Sequence, residues 1–242
     1  ELKDLPALDD FGFPDLSEIN FDEVKEAVEE EEKPGRDYIR LLNTEYGLFD
    51  SEGQFDIPII KPLEEYKPVK EFIPFNDAKS AKKKKGVGVH FCVDDYRFER
   101  VWNNPMEQAG VLKDFDYVTS PDFSMYLDMP RVLQIYNHYR KHWCAAFWQM
   151  AGIKVIPTIG WADDKSFEWC FDGEPKNSPV WVSSVGIMDD DEKKKYFMAG
   201  YNEMKKRLEP SKILHYGKPI KEIADEVIEI KAFSAKFEKM RE

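Results

Sequence analysis

The feature that most narrows the fold of this chain is an alternation that sets in at Val87. Short β-branched and aromatic stretches take turns with helix-patterned ones. The stretches end in small polar or acidic residues: HFCVDD (His90–Asp95), YVTSPDFS (Tyr117–Ser124), VIPTIGWADD (Val155–Asp164) and VWVSSVG (Val180–Gly186). Strands separated by helical crossovers pair in parallel. Ile153–Ile159 is nearly continuous in apolar residues, which suits a strand buried on both faces. In such sheets ligands bind beyond the carboxyl ends of the strands, so the four endings mark where a site belongs.

The predicted strands are Val69–Phe75, Val87–Val93, Tyr117–Thr119, Ile153–Ile159, Val180–Val185, Lys212–Tyr216 and Val227–Lys231. Tyr96–Phe115 reads as helical, with a break at Asn103-Asn104-Pro105. Asp128–Ala151 reads as a long helix with Pro130 near its start, Gly152 after its end and one apolar face (Val132, Ile135, Tyr136, Tyr139, Trp143, Phe147, Met150). Asp189–Leu208 is a second helix, acidic at its start and basic at its end, as the macrodipole favours. The expected fold is α/β: an incomplete β/α barrel or an open, mainly parallel sheet with flanking helices.

Charge divides the chain. Residues 1–35 hold thirteen Asp and Glu against three Lys, ten of the net −12, interspersed with Phe11, Phe13, Leu16, Ile19, Phe21 and Val24. They read as an acidic flexible arm. Pro58, Pro62 and Pro68 mark residues 36–69 as a proline-rich strap, and residues 70–242 form a single α/β domain. The net charge argues against broad attraction to nucleic acid, although Lys82–Lys85 could seed a local basic strip. No apolar run approaches the roughly 20 residues that span a bilayer, so no membrane contact is expected. The chain opens on Glu1, which leaves a preceding segment open. Cys92, Cys144 and Cys170 are odd in number and far apart, a pattern of reduced thiols in a cytoplasmic protein.

The carboxylates at the strand ends carry the candidate chemistry. Asp94, Asp122 and Asp163 follow three successive strands, and if these are neighbours the acids converge on one mouth as general acid–base groups or as ligands of a cation such as Mg²⁺. The competing role for each is an ordinary helix N-cap. Trp161 is placed to stack a base or a sugar or, equally, to serve as a core or rim tryptophan, and Ser183 to donate to a phosphate or to close a turn. His138 and His142 stand four apart on a helix, as metal ligands do. With no third ligand nearby in sequence, they read as packing or surface residues. Cys170 has apolar neighbours and reads as an inert buried thiol. No Walker loop, GxSxG elbow or HExxH is present.

The motifs IPFNDAKS (Ile73–Ser80), HFCVDDYRFERVWNNP (His90–Pro105), SPDFSMYLDMP (Ser120–Pro130), QIYNHYRKHW (Gln134–Trp143), VIPTIGWADDKSFEWCFDGEP (Val155–Pro175) and VSSVG (Val182–Gly186) together resemble an uncharacterised domain-of-unknown-function family of bacteria, phages and mobile elements, over about residues 70–217. The resemblance implies a cytoplasmic protein of a bacterium or phage-infected cell and carries no established reaction. Within the matching motifs, Asn76, Asp95, Arg97, Ser124, Asn137 and Arg140 join Trp161 and Ser183 as candidate substrate contacts. Three functions follow as expectations. The first is an enzyme acting on a nucleotide, nucleic acid or sugar-phosphate. The second is an inhibitor or adaptor that engages a basic host or defence protein through residues 1–35, and the third is a DNA-replication accessory protein.

Overall fold

The computed structural model describes residues 42–44, 46, 49–187 and 191–232; the acidic arm, and with it the proposed partner-binding segment, lies outside them. After a hairpin of β1 (Ser51–Glu52) and β2 (Ile57–Pro58), the strands β3 (Glu71–Pro74), β4 (Val87–His90), β5 (Tyr117–Thr119) and β6 (Val155–Ile156) pair in parallel in chain order. So do β7 (Pro179–Ser183), β8 (Lys212–Tyr216) and β9 (Ile228–Ile230). A parallel bridge between Thr158 and Trp181 joins the two sheets. Pro157 cannot donate to the β5 ladder, and from there the chain turns to β7: the Pro157 carbonyl accepts from Trp181 N–H and Ile159 N–H donates to the Trp181 carbonyl. The long apolar run at 153–159 is therefore shared between two partners.

The strands are curled. A flat sheet would separate β3 from β7, or β4 from β8, by about 19 Å, four spacings of roughly 4.8 Å. Instead the Phe72 ring lies 4.9 Å from Trp181 and His90 lies 4.5 Å from Tyr216. Strand alternation does the rest. Phe72, Tyr117, Ile156, Trp181, Leu214 and Tyr216 form one inner cluster, while Val89, Phe91, Val118 and Val155, and Val180, Val182 and Ile213, pack on helices outside. Gly88, paired with Phe72, leaves room for that ring: a Cβ there would meet it at 2.3 Å. Among the described residues β9 does not pair with β3, so the barrel is incomplete.

The strap closes one end of this barrel. Tyr66 packs on Tyr117 at the start of β5, Lys67 N–H donates to the Tyr117 hydroxyl, and Lys212 at the start of β8 donates to the Tyr66 carbonyl. Leu63 N–H donates to Ser178, just before β7. The amino-terminal ends of the strands are thus covered, which leaves the carboxyl-terminal mouth as the open end.

Helices flank the sheet: α1 (Phe75–Ala78), α2 (Arg100–Asn103), α3 (Pro105–Leu112), α4 (Arg131–Met150) and α5 (Asp191–Leu208). The break expected at Asn104-Pro105 separates α2 from α3, with Pro105 in the first turn. Helix α4 begins at Arg131, not Asp128, because Pro130 is extended (ψ 135). Its apolar face packs as expected except at Val132, which is exposed. A second buried stripe was not expected: Gln134, Asn137, His138, Lys141 and His142 recur at the same three- and four-residue spacing.

Trp161 is half-buried against the second core cluster. It lies on α5, 5.5 Å from Phe197, and its indole occupies the space where a Cβ at Gly200 would sit, 2.2 Å from Nε1. An exposed mid-helix Gly→Ala change gains about 1 kcal/mol. Gly200→Ala is expected instead to cost about 1–3 kcal/mol by overpacking, measured by urea denaturation. A stabilised variant would show that the indole moves aside freely.

Candidate functional site

The mouth is built from β4, β5 and the loops that follow them. The His90 Nδ1 accepts from Cys92 N–H (3.2 Å), which turns the chain just past β4. Cys92 accepts from the Trp181 indole N–H (3.2 Å), and the charge of the Asp122 carboxylate is felt at its thiol. The Trp181–Cys92 bond links the plugged interior to the loop at the mouth. Burial, and then the Asp122 charge, push the Cys92 thiol well above its ordinary pKa, so it is a donor and not a thiolate.

The residue Asp122 is partly exposed but its carboxyl is desolvated. Desolvation raises its pKa to about 6; Lys141 opposes the rise and Asp95 adds to it. Asp95 accepts from Ser124 N–H (3.0 Å) and hydroxyl (2.8 Å), tying the loop after β4 to the loop after β5. Polar side chains of α4 hold the second loop by its carbonyls. Asn137 donates to Ser124 (2.6 Å), and Gln134 donates to Tyr126 (2.7 Å) and Met129 (3.2 Å). Arg140 donates to Asn137, lies 3.7 Å over the Phe123 ring and pairs with Glu99.

Among the residues predicted from sequence, Asp95, Ser124, Asn137 and Arg140 are therefore joined by hydrogen bonds, and Asp122 feels the charge of Asp95. The others are placed differently. Asp94 is exposed and pairs with Arg97 at 3.4 Å. Asp163 is clasped by Arg131 through both oxygens (3.1 and 3.2 Å) and caps the following turn at Ser166 N–H. Burial would raise the Asp163 pKa, but Arg131 and that cap outweigh it and hold the carboxyl below the usual range. Asn76 is exposed in the first turn of α1, its amide on Asp77. The Ser183 hydroxyl accepts from Val185 N–H and closes a turn.

Lys141 connects the mouth to a deeper polar cluster. It is 3% exposed and donates to the Thr158 carbonyl (2.9 Å) and to Glu174 (2.6 Å). His142 lies 3.0 Å from the same carboxylate oxygen. Desolvation would raise the Glu174 pKa, but Lys141 and His142 hold it below its ordinary value. Burial lowers the pKa of both His138 and His142. Cys170, nearby, is buried with its thiol pushed up to about 12, as an inert thiol requires.

The model of DUF4417, a domain of unknown function, matches residues 49–234. The chain belongs to this family. The DUF4417 match begins within the strap and includes β9, so the segment that covers the barrel floor is part of the family domain and not an appendage to it. Two curated relatives are both called Gene 1 protein. That of Mycobacterium phage L5 is 36% identical over 193 residues, 76% of this chain and 80% of its own length. That of phage D29 is 35% identical over 194 residues, 77% of this chain and 68% of its own. A comparison with solved structures gives no significant match. Among the described residues no helix is long and apolar enough to cross a membrane.

The sequence alone did not point to Cys92, Lys141, Trp181 or Glu174 as members of these polar clusters. Cys92 and Trp181 lie inside motifs already singled out, but only the curl brings β7 under β4. Lys141 had a local signal, the polar stripe of α4, which has the same spacing as an apolar face.

Proposed function

We propose that this phage-family protein is an enzyme whose substrate enters the carboxyl-terminal mouth, with Asp122 as its general acid–base group. The observation that supports the reading is a desolvated Asp122 carboxyl, electrostatically coupled to Lys141 and Asp95, in the loop after β5 at the open end of a barrel whose other end is covered. A carboxyl with a pKa of about 6 exchanges its proton near neutrality, which is what acid–base catalysis asks of it. The Lys141 charge favours the ionised form.

The substrate class is a phosphate-bearing nucleotide, nucleic acid or sugar. Its support is the rim: Tyr96 is 73% exposed on the loop after β4, with the Arg97 guanidinium 5.4 Å from its ring centroid. An exposed ring stacks on a base, and a guanidinium beside it pairs with phosphate. In this reading Asp94 is a rim acid held by Arg97, Asp163 holds Arg131 in place, and a cation such as Mg²⁺ would sit between Asp122 and Asp95.

The test is a turnover panel of nucleoside mono-, di- and triphosphates, sugar phosphates and single- and double-stranded DNA and RNA, with and without Mg²⁺. The full chain is expected to turn over one class, and Asp122→Asn to lose about 10²–10⁴-fold while remaining folded. No turnover of any class, or an Asp122→Asn chain as active as the parent, removes the proposal.

Stability gives an independent reading of the same carboxyl. Its folded pKa lies above the unfolded one, so the folded state binds the extra proton. That contribution is complete below about pH 4 and is lost as pH rises through about 6. Asp122→Asn is therefore expected to stabilise the chain at pH 7.5 by up to about 3 kcal/mol and to change little at pH 4, measured by denaturant titration at both values.

A further inference from the structure

The cluster behind Lys141 has an inconsistency that protons resolve poorly. His142 Nδ1 lies 2.8 Å from the Pro58 carbonyl oxygen and must donate to it. His138 Nε2 lies 3.2 Å from the Asp172 carbonyl oxygen and must likewise donate. In a neutral ring this leaves a lone pair on the other nitrogen. The His142 Nε2 lone pair then faces a Glu174 oxygen at 3.0 Å, two acceptors against each other. The His138 Nδ1 and the second Glu174 oxygen are buried with no hydrogen-bond partner. Glu174 already has a cation, Lys141 at 2.6 Å, so an imidazolium would place a second cation on the same buried oxygen.

We propose that His138, His142 and Glu174 bind a divalent first-row transition metal, with Zn²⁺ the first choice. Their donor atoms all lie within 4.8 Å of one another, and the residues are 1%, 0% and 6% exposed. Each imidazole has its other N–H on a backbone carbonyl, the support that fixes a ligand's tautomer and ring orientation. Two imidazoles and one carboxylate suit Zn²⁺ or Fe²⁺, whereas Mg²⁺ takes oxygen donors. Lys141 occupies one Glu174 oxygen and leaves the second for the ion.

The site would fasten three remote segments: β2 through Pro58, helix α4, and the loop at Asp172–Glu174. Because the ligands are buried, the ion enters as the chain folds. The proposal does not depend on the reading of Asp122.

The full chain, expressed in zinc-supplemented medium and desalted, is expected to carry about one Zn²⁺. His138→Phe and Glu174→Gln, with unchanged circular dichroism, are expected to carry less than about a tenth of that. A parent chain free of metal after growth in zinc, iron or manganese overturns the site, as do folded variants that load equally. Should both variants misfold, Co²⁺ incorporated into the parent chain decides. Visible d–d bands of a nitrogen–oxygen site upholds the proposal, and a spectrum of aqueous cobalt only overturns it.

Discussion

Lys141→Met is expected to destabilise the chain by about 3–5 kcal/mol when prepared under metal-depleted conditions. For a chain of this size that is a fall in Tm of roughly 6–20 °C, read by calorimetry. The ammonium is buried and donates to the Thr158 carbonyl and to Glu174. Methionine fills a similar volume, so packing survives while Glu174 is left as a buried carboxylate whose remaining close partner is His142. The cost comes from that stranded charge, not from a lost favourable contact. Two consequences separate this cause from a packing defect. Adding Glu174→Gln to Lys141→Met should recover most of the loss, because the charge is gone. The sign with pH also follows. In the parent chain the Glu174 pKa is depressed, so its contribution is present above the unfolded value and lost on acidification. In the variant the carboxyl protonates readily, so the difference between the two chains should shrink below about pH 4. A loss independent of pH would show that the damage is steric.

Trp181→Ala is expected to cost about 3–5 kcal/mol in guanidinium denaturation. The indole is fully buried at the centre of the curl, 4.9 Å from Phe72, 6.0 Å from His90 and 5.9 Å from Tyr216, and its backbone bridges to Thr158. Removing it opens a cavity bordered by rings from β3, β4 and β8, which cannot collapse without uncurling the sheet. Trp181→Phe separates the ring from its N–H. Most of the packing stays, but Cys92 loses its donor, for a cost of about 1 kcal/mol. A Trp181→Ala chain within about 1 kcal/mol of the parent would mean that the interior refills and that Trp181 does not set the curl.

The elements were largely legible because each has a local cause. Lys212–Tyr216 and Tyr117–Thr119 are short stretches rich in β-branched and aromatic residues and form as strands at those bounds. Asn104-Pro105 divides two helices because proline suits a first turn and no interior turn. The expectation for Ile153–Ile159 was less exact, since periodicity does not report which partner each half of a strand takes. For Trp161 the sequence left a stacking surface and a core or rim position equally open. Its packing on Gly200 needs the position of a helix some forty residues away.

The site divides along the same line. Sequence by itself determined that parallel strands end in polar loops; from that it placed Asp94, Asp122 and Asp163 at one mouth, with Asp95 and Ser124 among the candidate contacts. Periodicity is a property of neighbouring residues, and it needs no knowledge of the rest of the chain. Tertiary structure alone decided that the charge of Lys141 reaches Asp122 while Asp94 and Asp163 turn to arginines, and that Glu174 reaches His138 and His142. Those meetings depend on how far the sheet curls and on the burial of a polar helix stripe. A stripe of Asn, His and Lys has the same spacing whether it faces water or a carboxylate, and only the packed fold distinguishes the two.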